Sequence, residues 1–432
     1  MGRDAMTSAP GGPETEPMPA RRLGRASSMR ITAASLAGAV AGYVVLAIAA
    51  RTLTLEDNAL FVTFWAALLT SYGILTGLNT ETSRAVAQSA VGTGTGVRAP
   101  RAGTVAAVVA AGVAAVCLGT APLWGGLVFG EDSQVLATVV AASAAAYAVQ
   151  ATLLGALSGR GSWDPYAAVI AVEALGRVLI VTLVALWASD VVPLAWAAGA
   201  AAAAWTIMLV VSPASRAALA SRVDAPLRAF LARSAVAAVA AGASAVLLVG
   251  FPVLTSLTTP AAVYAGAAPL MLAITLTRAP IMVPLTSFQS VIVSQFVHNQ
   301  EGAGRAFLKF SGVVLAVGVV GAALAYPVGP PLMALLFGEG YRVDGIVLSA
   351  MTFASAGTAL LTISGAFCQA RNRHGAFVTG WLVALVVSVA ILAVDADVTA
   401  RVVGALVVGP YCGLAVHLAA LRRELVRRRP TG

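Results

Sequence analysis

The 432-residue chain is 59% hydrophobic and 10% charged, with a mean hydropathy of +0.88 and a formal net charge of +9. A soluble globular domain carries about 25% charged residues, so the composition excludes a soluble fold and implies a multi-span membrane protein. The basic residues are scattered between apolar runs and not gathered on one surface, which excludes nucleic acid as a partner despite a pI near 10.1.

Residues 1–30 are polar, rich in Pro and Gly, and include Arg21, Arg22 and Arg25; they read as a disordered cytoplasmic tail. About 20 apolar residues cross a bilayer. On that rule twelve spans follow, at about 31–50, 59–79, 103–121, 134–157, 166–187, 191–211, 235–254, 262–294, 310–329, 346–369, 376–394 and 402–421. The eighth is too long for one straight span and contains Pro269, Pro280 and Pro284, so a kink and an extension beyond the membrane are expected. Between the spans, "GTGTG" at 92–96 lacks the Gly-Lys-Ser/Thr ending of a phosphate cradle and reads as a flexible loop. Cys117, Cys368 and Cys412 show no C-x-x-C spacing, and His298, His374 and His417 are dispersed. Neither a metal site, a cofactor nor a catalytic cluster is expected, and an enzyme is the least favoured class.

Short cytoplasmic loops retain Lys and Arg. With the N-terminus inside, the inner segments hold 22 of the 27 basic residues, and the outer loops hold three, Arg51, Arg342 and Arg401. Acids show the complementary pattern at Glu56, Asp57, Glu131, Asp132, Asp190, Glu339, Asp344, Asp395 and Asp397. Both termini are therefore expected in the cytoplasm, with the basic tail at 422–432 near anionic headgroups of the cell membrane.

The stretches "LVFGEDSQ" (127–134) and "LLFGEGYR" (335–342) fall in the outer loops after spans 3 and 9. The turns after the next spans also correspond, "GALSGRGSWDPYA" at 155–167 and "GAFCQARNRHGAF" at 365–377. The chain divides into a six-span N-terminal lobe (31–211), a cytoplasmic linker (212–233) and a six-span C-terminal lobe (234–421). Six is even, so both halves enter the membrane in the same direction as parallel repeats, and the cleft between them is the natural substrate site.

At this point the residues resemble a family. "ARTLTLEDNALFVTFWAALLTSYGILTGLNTETSRAVA" (50–87) is similar to the opening of Wzx-type polysaccharide-biosynthesis membrane proteins, and "LLFGEGYRVDGIVLSAMTFASAGTALLTISGAFCQARNRHGAF" to their second half. Ala59 stands where that pattern has Gly after the acidic pair, and many relatives have more than twelve spans. The wider group is the multidrug, oligosaccharidyl-lipid and polysaccharide exporter superfamily. The resemblance implies an all-α integral membrane fold of V-shaped, MATE-like lobes that alternate access. It also implies a flippase for a lipid-linked oligosaccharide in cell-envelope synthesis, with membrane lipids and glycosyltransferases or a polymerase of the same pathway as partners.

Three charges lie deep in spans, Glu173 and Arg177 in span 5 and Arg278 in span 8. A charge at the bilayer centre costs about 2.5–3.5 kcal/mol on insertion scales, so such groups face the bundle interior or a wet cavity. Glu173 and Arg177 are one helical turn apart in the favourable order, a self-neutralised pair or part of a substrate site. Arg278 has no acid at helical spacing. Its alternatives are a snorkelling or cross-bundle structural role and a fork for the phosphate oxygens of a lipid-linked diphosphate. Glu81 and Arg84, at the inner end of span 2, are gate candidates or a solvated helix end. Tyr43, Trp65, Tyr72 and Tyr147 suit packing as well as sugar stacking. The charge balance favours an anionic lipid-linked glycan; a cation-coupled multidrug exporter and a non-transporting envelope scaffold are the alternatives.

Overall fold

In the computed structural model, residues 25–90, 99–298 and 303–426 are described. Residues 1–24 of the expected tail, the "GTGTG" loop and the last six residues of the basic tail lie outside them; residues 25–30, read from the sequence as part of a disordered tail, are instead the first turns of a helix. The chain forms α1 (Arg25–Thr52), α2 (Leu55–Ala90), α3 (Ala102–Phe129), α4 (Ser133–Gly159), α5 (Trp163–Ala185), α6 (Val191–Ala200), α7 (Trp205–Val211) and α8 (Pro213–Ala220). It continues through α9 (Leu227–Leu248), α10 (Phe251–Leu257), α11 (Ala261–Ala265), α12 (Ala268–His298), α13 (Ala303–Phe337), α14 (Gly345–Ala370), α15 (His374–Leu392) and α16 (Val398–Val426).

Among the described residues, 11 helical stretches are long and apolar enough to cross a membrane. One of them, Ala102–Gly159, is 58 residues long and consists of α3 and α4 packed on each other across the Gly130–Asp132 turn. Counting that hairpin as two, and α6 with α7 as one, gives the twelve crossings read from the sequence. The short helices α8, α10 and α11 are additional connectors.

The repeat is visible in the turns. Gly130 and Gly338, the glycines of the two Phe-Gly-Glu stretches, both have positive φ, 60° and 113°. A side chain at either position is strained, which is why glycine recurs there. At the opposite end, α4 and α14 finish in the same cap. Gly161 (φ 69°) and Asn372 (φ 57°) are left-handed, and Ser162 N–H and Arg373 N–H each reach back five residues, to the carbonyls of Leu157 and Cys368, both at 2.8 Å. This is the Schellman pattern. Packing repeats as well: α2 and α3 lie on α4 and α1 on α5, as α12 and α13 lie on α14 and α9 on α15.

The bundle has an acidic end, carrying the Phe-Gly-Glu turns, and a basic end, carrying the turns at Arg101, Arg160, Arg222 and Arg371. Several acids at the acidic end also serve as caps. Thr54 Oγ1 accepts from Asp57 N–H at 3.1 Å and donates to the Asp57 carboxylate at 2.7 Å, an N-cap that starts α2. Asp344 accepts from Ile346 N–H at 2.7 Å, and Asp397 from Thr399 N–H at 2.8 Å. The acidic pair read as a loop from the sequence is thus the first turn of α2.

Candidate functional site

The two lobes meet through different surfaces at the two ends. At the acidic end one continuous core joins Val45, Leu46 and Ala49 of α1 and Phe61 and Phe64 of α2 to Met271 and Leu272 of α12, Met333 of α13 and Leu348 of α14. Polar contacts reinforce it. Thr63 and Tyr264 hydroxyls lie 2.6 Å apart, and Arg51 at the end of α1 donates to the Leu336 carbonyl at 3.0 Å and to that of Leu335 near the end of α13. Helix C-termini are negative, so a guanidinium suits that position. Toward the basic end, α1 loses this cover: Met29, Leu36 and Val40 are exposed. On its α1 side the lobes are therefore joined at the acidic end, while toward the basic end α1 packs on α5 of its own lobe and Arg30 pairs with Asp164 at 2.7 Å.

On the other side α2 packs against α9 through small residues. A Cβ on Gly77 comes within 2.5 Å of the Ala237 backbone, and one on Gly73 within 2.5 Å of the Ala245 Cβ. The spacing Gly73-x-x-x-Gly77 places both on one face, so the backbones touch. Four charges close this seam at the basic end. Arg84 Nε donates to Glu81 at 2.8 Å and Nη1 to Asp224 at 2.9 Å, while Arg233 Nη2 donates to Asp224 at 2.7 Å and its Nε lies 2.8 Å from Glu81. The ring is neutral, its carboxylates are 8% and 10% exposed, and it joins α2, the 221–226 segment and α9.

Within the first lobe, Arg177 of α5 pairs with Glu173 one turn earlier. Its guanidinium carbon lies 5.4 Å from the Trp65 ring and 6.0 Å from the Tyr72 ring. Those residues are seven apart on α2, about 10.5 Å along the axis at 1.5 Å per residue, so the guanidinium sits between the two rings. Tyr147 stacks on Tyr72 at 4.0 Å and 7°. Both faces of Tyr72 are occupied, which leaves no face for a sugar.

Arg278 of α12 has a different setting. Pro252 has no N–H to give the Leu248 carbonyl four residues back, so α9 ends at Leu248 and the chain restarts as α10. Arg278 Nη1 donates to the carbonyls of Leu248 at 2.5 Å and Leu247 at 3.3 Å. The guanidinium also faces the Phe251 ring at 5.9 Å, and Arg278 is 8% exposed. Across the lobe boundary, Tyr43 of α1 donates to the Thr275 carbonyl at 3.3 Å, one turn from Arg278.

The chain is 36% identical over 403 residues to uncharacterized protein Rv3630 of Mycobacterium tuberculosis, covering 92% of each chain. It is 35% identical over 425 residues to uncharacterized protein Rv1510 of the same species, covering 97% of this chain and 94% of that one. The chain belongs to the family of these mycobacterial proteins. No protein-family model matches it. Its fold is that of the MOP-superfamily transporters. The inward-facing conformation of a multidrug resistance MATE family transporter of that superfamily superposes with a TM-score of 0.70 at 14% identity, over 91% of this chain and 96% of that one. The lipid II flippase MurJ in an inward closed conformation gives 0.62 at 10% identity, over 92% and 89%. Both neighbours are transport proteins.

Of the residues expected from the sequence, Glu173 and Arg177 are brought together, as are Glu81 and Arg84. Arg278 is bound to the end of α9 and not to Glu173. Sequence reading missed Asp224 and Arg233, which complete the ring, and the two rings that hold Arg177. The seven-residue spacing of Trp65 and Tyr72 was the available signal for the second. Nothing local signals the first, since Asp224 lies 140 residues from Arg84.

Proposed function

We propose that this protein is a flippase that carries a lipid-linked oligosaccharide, or a related anionic glycan precursor, across the cytoplasmic membrane for cell-envelope polysaccharide synthesis. The observation that carries this reading is the charge of the membrane interior. Each lobe buries an arginine, Arg177 in one and Arg278 in the other, against one carboxylate deep in a span among the described residues, Glu173. A net positive interior favours an anionic cargo, and guanidinium forks suit the oxygens of a diphosphate. In this reading the basic end faces the cytoplasm, both termini are cytoplasmic, and cargo enters beside the exposed basic-end half of α1, between the lobe 31–211 and the lobe 234–421. The gate candidates Glu81 and Arg84 act with Asp224 and Arg233 as the joint on the opposite side. Glycosyltransferases or a polymerase of the same pathway supply and consume the cargo.

The same fold serves multidrug transport, so a cation-coupled drug exporter is the competing reading. It calls for an unpaired deep carboxylate, and Glu173 is paired. Lipid analysis of cells depleted of the protein tests the choice: one glycolipid building up on the inner leaflet supports the flippase. Unchanged glycolipids with raised drug sensitivity support the exporter, and loss of polymer without inner-leaflet accumulation supports a scaffold.

A further inference from the structure

The interruption between α9 and α10 has a specific chemical consequence. A helix end leaves its last carbonyls without N–H donors, and these carry partial negative charge. Pro252 makes that deficit permanent at the Leu248 carbonyl, and Gly250, between the two helices, lets Thr70 of α2 approach the break, since a Cβ there would lie 2.8 Å from the Thr70 hydroxyl. The donor that meets the deficit comes from another helix, α12, through the Arg278 side chain. Beside the interruption lies a cavity of about 300 Å³ bordered by Val246, Gly250, Val253 and Leu254. There is therefore room for α10 to shift once the cap is released.

We propose that Arg278 is a displaceable cap. Its guanidinium holds the α9–α10 break closed when the site is empty, and a diphosphate cargo draws it off the Leu247 and Leu248 carbonyls, freeing α10 to move relative to α9. A phosphate oxygen carries a full charge where a carbonyl carries a partial one, so the guanidinium transfers to the cargo when both are in reach. α9 is the helix that packs on α2 of the other lobe. Release of its end thus couples cargo binding to the inter-lobe seam. The proposal rests on the anionic-cargo reading above and adds to it the step by which binding is sensed.

The test uses the full chain in detergent with Cys117, Cys368 and Cys412 replaced by Ala and a single reporter, Val249→Cys, in the break. Geranyl diphosphate is the probe, inorganic pyrophosphate isolates the head group, and geraniol is the uncharged control; binding is measured separately by titration calorimetry. The thiol-labelling rate at position 249 is expected to rise at least about tenfold with geranyl diphosphate, the scale set by loss of one charged hydrogen bond, and to be unchanged by geraniol. A response to pyrophosphate as strong as to geranyl diphosphate assigns the release to the head group, and a weaker one adds a contribution from the chain. Arg278→Ala is expected to label fast without ligand. Pro252→Ala supplies the missing N–H to Leu248, so it should label slowly with or without ligand, bind the diphosphate more tightly than wild type, and restore slow labelling when combined with Arg278→Ala. Diphosphate binding without any change in labelling overturns the displaceable cap and leaves the cargo reading standing. Absence of diphosphate binding to the wild-type chain overturns both.

Discussion

Removing Glu173 and Arg177 one at a time and then together measures what the buried pair does. The side chains are 14% and 7% exposed, so neither charge is relieved by solvent. Breaking a buried pair by removing one partner costs about 3–5 kcal/mol, while replacing both with apolar groups of similar volume is often neutral or better. Glu173→Leu leaves the guanidinium between Trp65 and Tyr72 without a counter-charge, and a loss of about 3–5 kcal/mol is expected. Arg177→Met leaves the carboxylate alone and also removes two cation–π contacts worth roughly 0.5–2 kcal/mol each. In the double variant the charge problem is gone and mainly the ring contacts are lost, so a deficit of about 1–4 kcal/mol is expected, below that of Arg177→Met, which loses the same contacts and also strands a carboxylate. The four proteins form a double-mutant cycle. Unfolding measured in one detergent should place the double variant above either single. A double variant as unstable as the sum of the two singles refutes the self-neutralised pair. Transport then separates its roles: a stable but inactive double variant assigns Arg177 to the cargo, and a fully active one confines the pair to structure.

Three further outcomes follow from named contacts. Single cysteines at Asp190 and Asp395, both exposed, should react with an impermeant thiol reagent from outside intact cells and one at Arg222 should not; Asn58 is fully buried in α2 and is unsuitable as a probe, and labelling at Arg222 in intact cells reverses the orientation. Arg51→Ala removes the tie from α1 to the end of α13, so it should raise acidic-end accessibility of a cysteine at Leu336, by about tenfold for a charged hydrogen bond, while joining an Arg51→Cys, Leu336→Cys pair with a bifunctional thiol reagent should arrest transport; transport through the cross-linked protein shows that this end never opens. Asp224→Asn takes one carboxylate from the four-membered ring and leaves Arg84 and Arg233 sharing Glu81, with an expected destabilisation of about 1–3 kcal/mol; melting unchanged from wild type in low salt means the ring contributes nothing.

Much of the architecture is legible in the sequence because the bilayer imposes one-dimensional rules. Span number follows from apolar run length, and the expected orientation follows from where the arginines fall. The two Phe-Gly-Glu turns reveal the repeat because a positive φ restricts those positions to glycine, and that restriction is local. The Glu173–Arg177 pair is equally local, one turn of one helix. The partners of the other charges are not, because they depend on which helices lie side by side. Arg278 finds its acceptors about 30 residues away, at an α9 end created by Pro252. The ring around Glu81 needs an aspartate 140 residues from Arg84, and the surroundings of Arg177 need α2 turned so that Trp65 and Tyr72 face α5. Composition and spacing determined that Glu173, Arg177 and Arg278 lie inside the membrane; helix packing alone decided what each one touches, since in a low-dielectric interior a charge is held by whichever donor, acceptor or ring the neighbouring helix presents.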